Sequence, residues 1–258
     1  MEDIRLSASF KKYADYYDLI YKDKNYKKEA TFLDSIFKKN KIKKKARLLE
    51  LGCGTGRLAF ELVKLGYSID GIDLSKKMIA RAKKVDISGL NFEIGDVRNY
   101  RGTKPFDLVI SLFHVVSYQL TYYDLIKTFE SANSNLKKNN HFIFDCWYGP
   151  AVLTLLPQKK YKQTKINNIT LSRVATPTLF ENENIVDVKY IIRVCGNNIE
   201  NTTFEETHRV RYFFKSEIEY FLNQTGFELV DNFEWMTSKP LSNKTWGSCF
   251  VAKKIREI

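Results

Sequence analysis

The chain has no apolar run approaching the roughly 18–20 residues of a membrane span, which argues against a helical membrane protein. Its opening stretch, MEDIRLSASFKKYADYYDL, lacks the apolar core of a secretory signal, so the expected location is the cytoplasm. Four cysteines are present (Cys53, Cys146, Cys195 and Cys249), none in a C-x-x-C pair, and the only histidines are His114, His141 and His208. No zinc spacing can be built from that set, and no metal is expected. Cys146 and Cys249 sit inside apolar runs and read as reduced core residues, packing like small hydrophobes.

What is present suits a globular enzyme. With 258 residues, 44% hydrophobic and 14% aromatic, the chain can bury a substantial core, either as one large α/β domain or as a domain carrying a sizeable insertion. The net charge of +12 is unevenly spread: residues 38–47, KKNKIKKKAR, hold seven positive charges and no negative one. Such a run reads as a solvated linker at a helix end that could also aid encounter with an anionic substrate.

Residues 27–38 place Ala30, Leu33 and Phe37, with Phe32 and Ile36, on one helical face. RLLEL (47–51) reads as a buried strand, followed by a helix through Leu58, Ala59, Leu62 and Val63 that Gly66 stops. YSIDGIDLS (67–75), NFEIGD (91–96), FDLVIS (106–111) and HFIFDCW (141–147) supply four more strands. Between them lie a helix capped by Ser75 and an amphipathic one through Leu125, Ile126, Phe129, Ala132 and Leu136. Strands alternating with helices predict a parallel sheet covered on both faces. The alternation breaks near residue 160. Three β-rich segments follow, 168–180, 184–195 and 202–214, with turns at ENEN (181–184) and GNN (196–198). A helix from KSEIEYFLNQTGF and strands from ELVDNFEW and TWGSCFVAKK then resume the first pattern. The expected fold is a Rossmann-like, seven-stranded, mostly parallel sheet with helices on both faces and an antiparallel β insertion after strand five. The expected divisions are an N-terminal helical lid at 1–45, the ligand-binding core at 46–150, the insertion at 151–214 and the rest of the core at 215–258.

Candidate ligand residues stand at successive carboxyl ends of the strands, where open α/β sheets bind. Gly52, Gly54 and Gly56 follow strand one with the spacing G-x-G-x-G, not the G-x-G-x-x-G of dinucleotide folds, and Glu50 precedes them. That acid would repel a pyrophosphate but suits a sulfonium and a free α-amino group. Asp73 ends strand two, where a carboxylate can accept from both hydroxyls of an adenosine ribose. Asp96 ends strand three and could accept from an adenine amino group, with Val97 and Met78 against the ring.

LLELGCGTG, GIDLS, GDVRN and FDLVISLFHVVSYQ resemble the class I S-adenosylmethionine-dependent methyltransferases over residues 45–147. YYDLIYKDKNYKKEA (16–30), DCWYGP (145–150) and FEETHRVRYF (204–213) are similar to segments of bacterial N,N-dimethyltransferases acting on nucleotide-linked amino sugars. The resemblance implies S-adenosylmethionine as cofactor, with Tyr17, Tyr21, Cys53, Leu74, Ser111 and Leu112 joining its site. It implies that His114, Tyr118, Trp147, Tyr148, Glu206, His208 and Arg209 face the substrate. Those relatives carry a histidine after strand four where this chain has Tyr118, with His114 four residues earlier.

Methyl transfer is an in-line displacement at an activated carbon, so the protein must chiefly align the reactants and exclude water. A hydroxyl acceptor also needs a base, whereas an amine needs only to lose its ammonium proton. His114 is the preferred base or orienter, with Tyr118 and His208 as further candidates. His208 alternates with Glu206 along a predicted strand, so the two can share a face. Trp147, Tyr148, Trp235 and Trp246 could stack on a base or sugar. The expected function is methyl transfer to an amino or hydroxyl group of a small anionic metabolite, a nucleotide-linked or phosphorylated sugar for surface glycan synthesis. The chain is expected to act as a monomer or homodimer, with no membrane or nucleic-acid partner. One alternative is an RNA methyltransferase, which the basic run favours, though the chain lacks both an Asn/Asp-Pro-Pro-aromatic motif and a Pro-Cys nucleophile. Others are a non-catalytic protein binding the same cofactor and, disfavoured by the glycine spacing, a Rossmann oxidoreductase.

Overall fold

A computed structural model of the chain describes residues 12–196 and 201–258, apart from the side chain of Ile166. Two helices come first, α1 (Tyr13–Ile20) and α2 (Tyr26–Lys39). The side chain of Asn25 starts α2 by accepting the Lys28 N–H at 2.9 Å, satisfying a donor the helix leaves unpaired. The core then alternates β1 (Arg47–Leu51), α3 (Arg57–Lys64), β2 (Ser68–Asp73), α4 (Lys76–Ala82), β3 (Leu90–Ile94), β4 (Phe106–Ser111), α5 (Tyr122–Asn135) and β5 (Leu136–Tyr148). Ser75 and Thr121 cap α4 and α5 in the same way as Asn25 caps α2.

After α6 (Gly149–Leu155) come β6 (Lys160–Ile166), β7 (Ile169–Phe180), β8 (Ile185–Gly196) and β9 (Thr202–Phe213). The core resumes with α7 (Lys215–Gln224), β10 (Phe227–Glu234) and β11 (Gly247–Lys254). Strands β3-β2-β1-β4-β5 are parallel neighbours. β11 adds antiparallel to β5, and β10 antiparallel to β11, which completes seven core strands. One apolar layer, with Leu33, Phe37, Leu48, Leu62 and Ile143, packs beneath α2, α3 and α4. A second, with Phe129, Phe142, Phe144, Phe221 and Phe250, packs beneath α5 and α7.

Counting the insertion, the sheet has eleven strands rather than seven. β4 leaves β5 after Phe144, and β9 takes that edge by pairing with Trp147 and Tyr148. The antiparallel strands β9-β8-β7-β6 therefore continue the sheet beyond the carboxyl end of β4 and overhang it. Two insertion elements escape the sequence patterns. β6, KYKQTKI, has too few apolar residues to read as a strand because it is an edge, where lysines discourage pairing with other chains. α6 is only 7 residues long, below the length at which periodicity is legible. The ENEN segment forms a short turn closed by Asn184 in the left-handed region at φ 56°. Residues 197 and 198 of the expected GNN turn, and residues 1–11 of the expected lid, lie outside the described residues.

Helix α1 packs between the insertion and α4. Tyr13, Ala14, Tyr17 and Ile20 are buried with Leu171, Ile192, Val194 and Phe204 on one side and Met78 on the other. Asp18 accepts the Thr55 hydroxyl at 2.8 Å, tying α1 to the glycine loop, while Lys77 and Arg81 of α4 pair with Asp15. The basic run 38–47 ends where β1 begins, so it lies at the opposite edge of the sheet, roughly 15 Å of strand from the glycine loop. Four of its cations, Lys38, Lys39, Lys44 and Arg47, are engaged by Asp34, Asp231 and Asp70. Its expected part in steering a substrate therefore finds no support in its placement. Among the described residues, no helix is long and apolar enough to cross a membrane.

Candidate active site

The carboxyl ends of β1, β2, β3 and β4, roofed by α1 and the insertion, enclose a cavity of about 730 Å³. The glycine loop forms its floor. The N–H groups of Gly52 and Cys53 both donate to the Ile72 carbonyl at 2.8 Å, which folds the loop back over β2. Gly56 opens α3 in the left-handed region at φ 74°, where a Cβ would strike the Phe92 ring at 2.5 Å. Asp73 braces the same loop: Oδ2 accepts the Gly54 N–H at 3.0 Å and Oδ1 the Ser75 N–H at 2.8 Å. Burial raises the pKa of Asp73, and those two N–H donors oppose the rise.

Glu50 is 4% exposed, and its Oε2 is buried without a hydrogen-bond partner. Burial pushes its carboxyl up to about 8, with Glu29 and Asp73 adding to the rise and Lys24 opposing it. The native state thus keeps a proton that the unfolded chain releases near the ordinary glutamate value. Stability from this group is full below about pH 4.5 and declines as pH rises toward 8, by an amount on the order of several kcal/mol. Glu50→Gln is therefore expected to flatten the fall in Tm between pH 5 and 8 in the ligand-free protein. Thermal melts of both proteins across that range check it, and parallel curves would refute the assignment.

Two histidine arrangements also stand on the cavity wall. His114 lies just past β4, and its backbone N–H donates to Asp145 Oδ1 at 2.8 Å. Its Nδ1 is 3.1 Å from Asp145 Oδ2, within ion-pair reach though not aligned as a hydrogen bond. His208, on β9, places Nδ1 2.7 Å from the Tyr118 hydroxyl and Nε2 3.2 Å from Glu206 Oε1. An Nε2–H facing the Glu206 carboxylate leaves Nδ1 to accept the Tyr118 O–H, an assignment made from the network. Burial drives the Tyr118 phenol well above its ordinary value, so it stays a neutral donor and not a base.

Not every expected residue reaches the cavity. Tyr17, Tyr21, Glu50, Gly52, Cys53, Gly54, Asp73, Leu74, Met78, Asp96, Val97, Leu112, His114, Tyr118, Trp147 and His208 line it. The Asp96 carboxylate is gripped by Arg98 through Nε at 3.0 Å and Nη2 at 2.6 Å, which holds its pKa below the usual range against the effect of burial. Ser111 is buried, its hydroxyl turned to the Leu51 carbonyl, and Gly56 serves α3 from behind the wall. Glu206 stands behind His208 rather than on the wall. Arg209 points away, pairing with Glu183 at 2.9 Å and Asp187 at 3.5 Å, because successive residues of a strand face opposite sides and His208 takes the inner one. Tyr148 also lies off the wall for this reason, Trp147 having the inward place. Trp235 faces in, while Trp246 supports Trp147 at a ring separation of 5.8 Å.

The model of the methyltransferase domain family matches residues 42–216. The chain belongs to this family. It is an S-adenosylmethionine-dependent methyltransferase, and relatives agree. The putative methyltransferase YqeM of Bacillus subtilis (strain 168) is 30% identical over 188 residues, 71% of this chain and 74% of that protein. The dTDP-3-amino-3,4,6-trideoxy-alpha-D-glucopyranose N,N-dimethyltransferase of Streptomyces venezuelae is 23% identical over 218 residues, 84% of this chain and 90% of that one. Among solved structures, DesVI of Streptomyces venezuelae shares the fold at a TM-score of 0.80 and 22% identity, over 93% of this chain and 97% of its own. A methyltransferase from Clostridium acetobutylicum ATCC 824 does so at 0.79 and 21%, over 96% and 99%.

The methyltransferase's own residues fit the cofactor. The unpartnered Glu50 oxygen suits a cationic amino group, and the face of Gly54 is open, with nothing within 4 Å of an added Cβ. No phosphate is needed, which suits a floor lined by carboxylates. Sequence patterns did not single out Lys24, whose ammonium sits 3.6 Å over the Phe113 ring and 3.1 Å from Glu29. They also passed over Asp145, which the strand-end rule that found Glu50, Asp73 and Asp96 would have caught on β5.

Proposed function

We propose that the methyltransferase acts on an amino or hydroxyl group of a nucleotide-linked or phosphorylated sugar. The observation that carries this reading is one cavity whose wall holds two chemically different sets of groups. Glu50 and Asp73 form one set, and His114 with the Tyr118–His208 pair the other. Bound S-adenosylmethionine supplies an activated methyl carbon. In this reading Glu50 binds the cofactor's amino group and Asp73 the ribose hydroxyls, while Asp96, Val97 and Met78 surround the adenine. Tyr17 and Tyr21, carried by the lid, exclude water, and Trp147 and Trp235 offer flat walls to a sugar. Lys12 and Lys76 add positive charge to the wall, which suits an anionic acceptor. The sugar N,N-dimethyltransferase of Streptomyces venezuelae supports that acceptor class. The basic run, which favoured RNA, lies at the amino end of β1, away from the glycine loop.

Calorimetry at micromolar protein should detect both S-adenosylmethionine and its demethylated product. Mass spectrometry of reactions with a panel of dTDP-linked amino sugars and sugar phosphates should show the gain of one or more methyl groups. Absence of cofactor binding would defeat methyl transfer itself. Turnover on RNA, with none on the panel, would defeat the sugar reading alone.

A further inference from the structure

We propose that Asp145 is a positioning residue that makes Nε2 of His114 the proton acceptor of the reaction. The inference rests on the methyl-transfer reading above. Phe113 and His114 are consecutive non-glycine residues in the left-handed region, at φ 65° and 64°. Such a conformation persists only where the surroundings impose it, and it gathers at functional sites. Asp145, 1% exposed at the end of β5, is the group that imposes it here, because Oδ1 takes the His114 N–H at 2.8 Å. The other oxygen of the same carboxylate stands 3.1 Å from Nδ1. One buried group therefore fixes both the turn and the ring. The ring also lies beside the start of β11, where a Cβ added to Gly247 would meet Cε1 at 3.4 Å.

A carboxylate oxygen 3.1 Å from Nδ1 favours the proton on that nitrogen, which leaves the lone pair of the neutral ring on Nε2. A proton leaving the acceptor passes to Nε2, and the imidazolium that forms is balanced by Asp145 behind it. The second histidine cannot take this part. His208 is 4% exposed, and its Nδ1 is already engaged by Tyr118. Other charges near His114 come from Lys24, over the Phe113 ring, and from Glu29 on α2, whose carboxyl feels Asp145. These two pair with each other at 3.1 Å, which leaves Asp145 as the charge directed at the ring.

Nitrogen NMR of the three histidines in the full-length, ligand-free protein tests this, with His114→Gln assigning the signal. Neutral His114 is expected as the Nδ1–H tautomer, and Asp145→Asn should shift its population toward Nε2–H. An Nε2–H tautomer in the unmodified protein, or a tautomer population unchanged in a folded variant, overturns the proposal. The tautomer decides the matter even if the variant does not fold. On any dTDP-linked amino sugar that turns over, Asp145→Asn should lower kcat tenfold or more with KM within about threefold. An undiminished kcat overturns it. Failure of cofactor binding would instead overturn the methyl-transfer reading and leave the tautomer result standing.

Discussion

Asp73→Ala is expected to weaken S-adenosylmethionine binding by two to four orders of magnitude. Each Asp73 oxygen accepts one backbone N–H, from Gly54 or Ser75, and can accept a second donor, and the residue lines the cavity. In the proposed site those second donors are two ribose hydroxyls. Hydrogen bonds to a charged group contribute about 1.5–3 kcal/mol each, so losing two costs about 3–6 kcal/mol, or roughly 100- to 10,000-fold in affinity. The effect on stability is smaller because two changes oppose. Removing the carboxylate leaves the Gly54 and Ser75 N–H groups without their acceptor, yet it also removes a charge that burial disfavours. A Tm within a few degrees of the parent, alongside a collapsed affinity in calorimetry, is the expected pair of results. A folded variant with unchanged affinity would remove Asp73 from the cofactor site.

Gly52→Ala should act on the fold instead. Gly52 has φ +79°, and a Cβ there would lie 2.4 Å from Val115 Cγ2 and 2.8 Å from Cγ1. Val115 follows the left-handed Phe113–His114 turn, so it cannot withdraw without disturbing that turn. Left-handed backbone costs a non-glycine residue about 1–2 kcal/mol, and overpacking adds about 1–3 kcal/mol. A loss of about 2–5 kcal/mol should lower Tm by on the order of 10 °C in a chain of this length. Gly54→Ala is the contrast. At φ +54° it carries the backbone cost, but nothing lies within 4 Å of its Cβ, so the methyl enters the cavity. It should stay folded while losing cofactor affinity. Equal Tm losses in the two variants would refute the part assigned to Val115.

The alternation of strands and helices was legible because the central strands β1 and β4 are buried on both faces and each helix on one. Apolar spacing alone therefore located β1 to β5 and the helices between them. Strand-end chemistry was legible for the same reason. In an open parallel sheet every β-to-α turn opens on one edge, so the order of the elements alone brings Glu50, Asp73 and Asp96 together. The insertion was harder to read. Its strands β7, β8 and β9 show as β-branched runs, but β6 is a lysine-rich edge that buries little, and composition does not mark it.

By itself the sequence determined the parallel core of the sheet, the glycine loop and the acids at the strand ends, because short-range spacing settles all three. Only tertiary structure decided which more distant side chains meet at the cavity. Tyr118, Glu206 and His208 lie up to 90 residues apart in the chain and meet through the pairing of β9 with the end of β5. The same pairing sets the strand parity that turns His208 inward and Arg209 outward. Asp145 meets His114 across adjacent strands, a contact fixed by the register of Ser111 against Phe144. Register depends on how whole faces are buried, and no local pattern in the sequence encodes it.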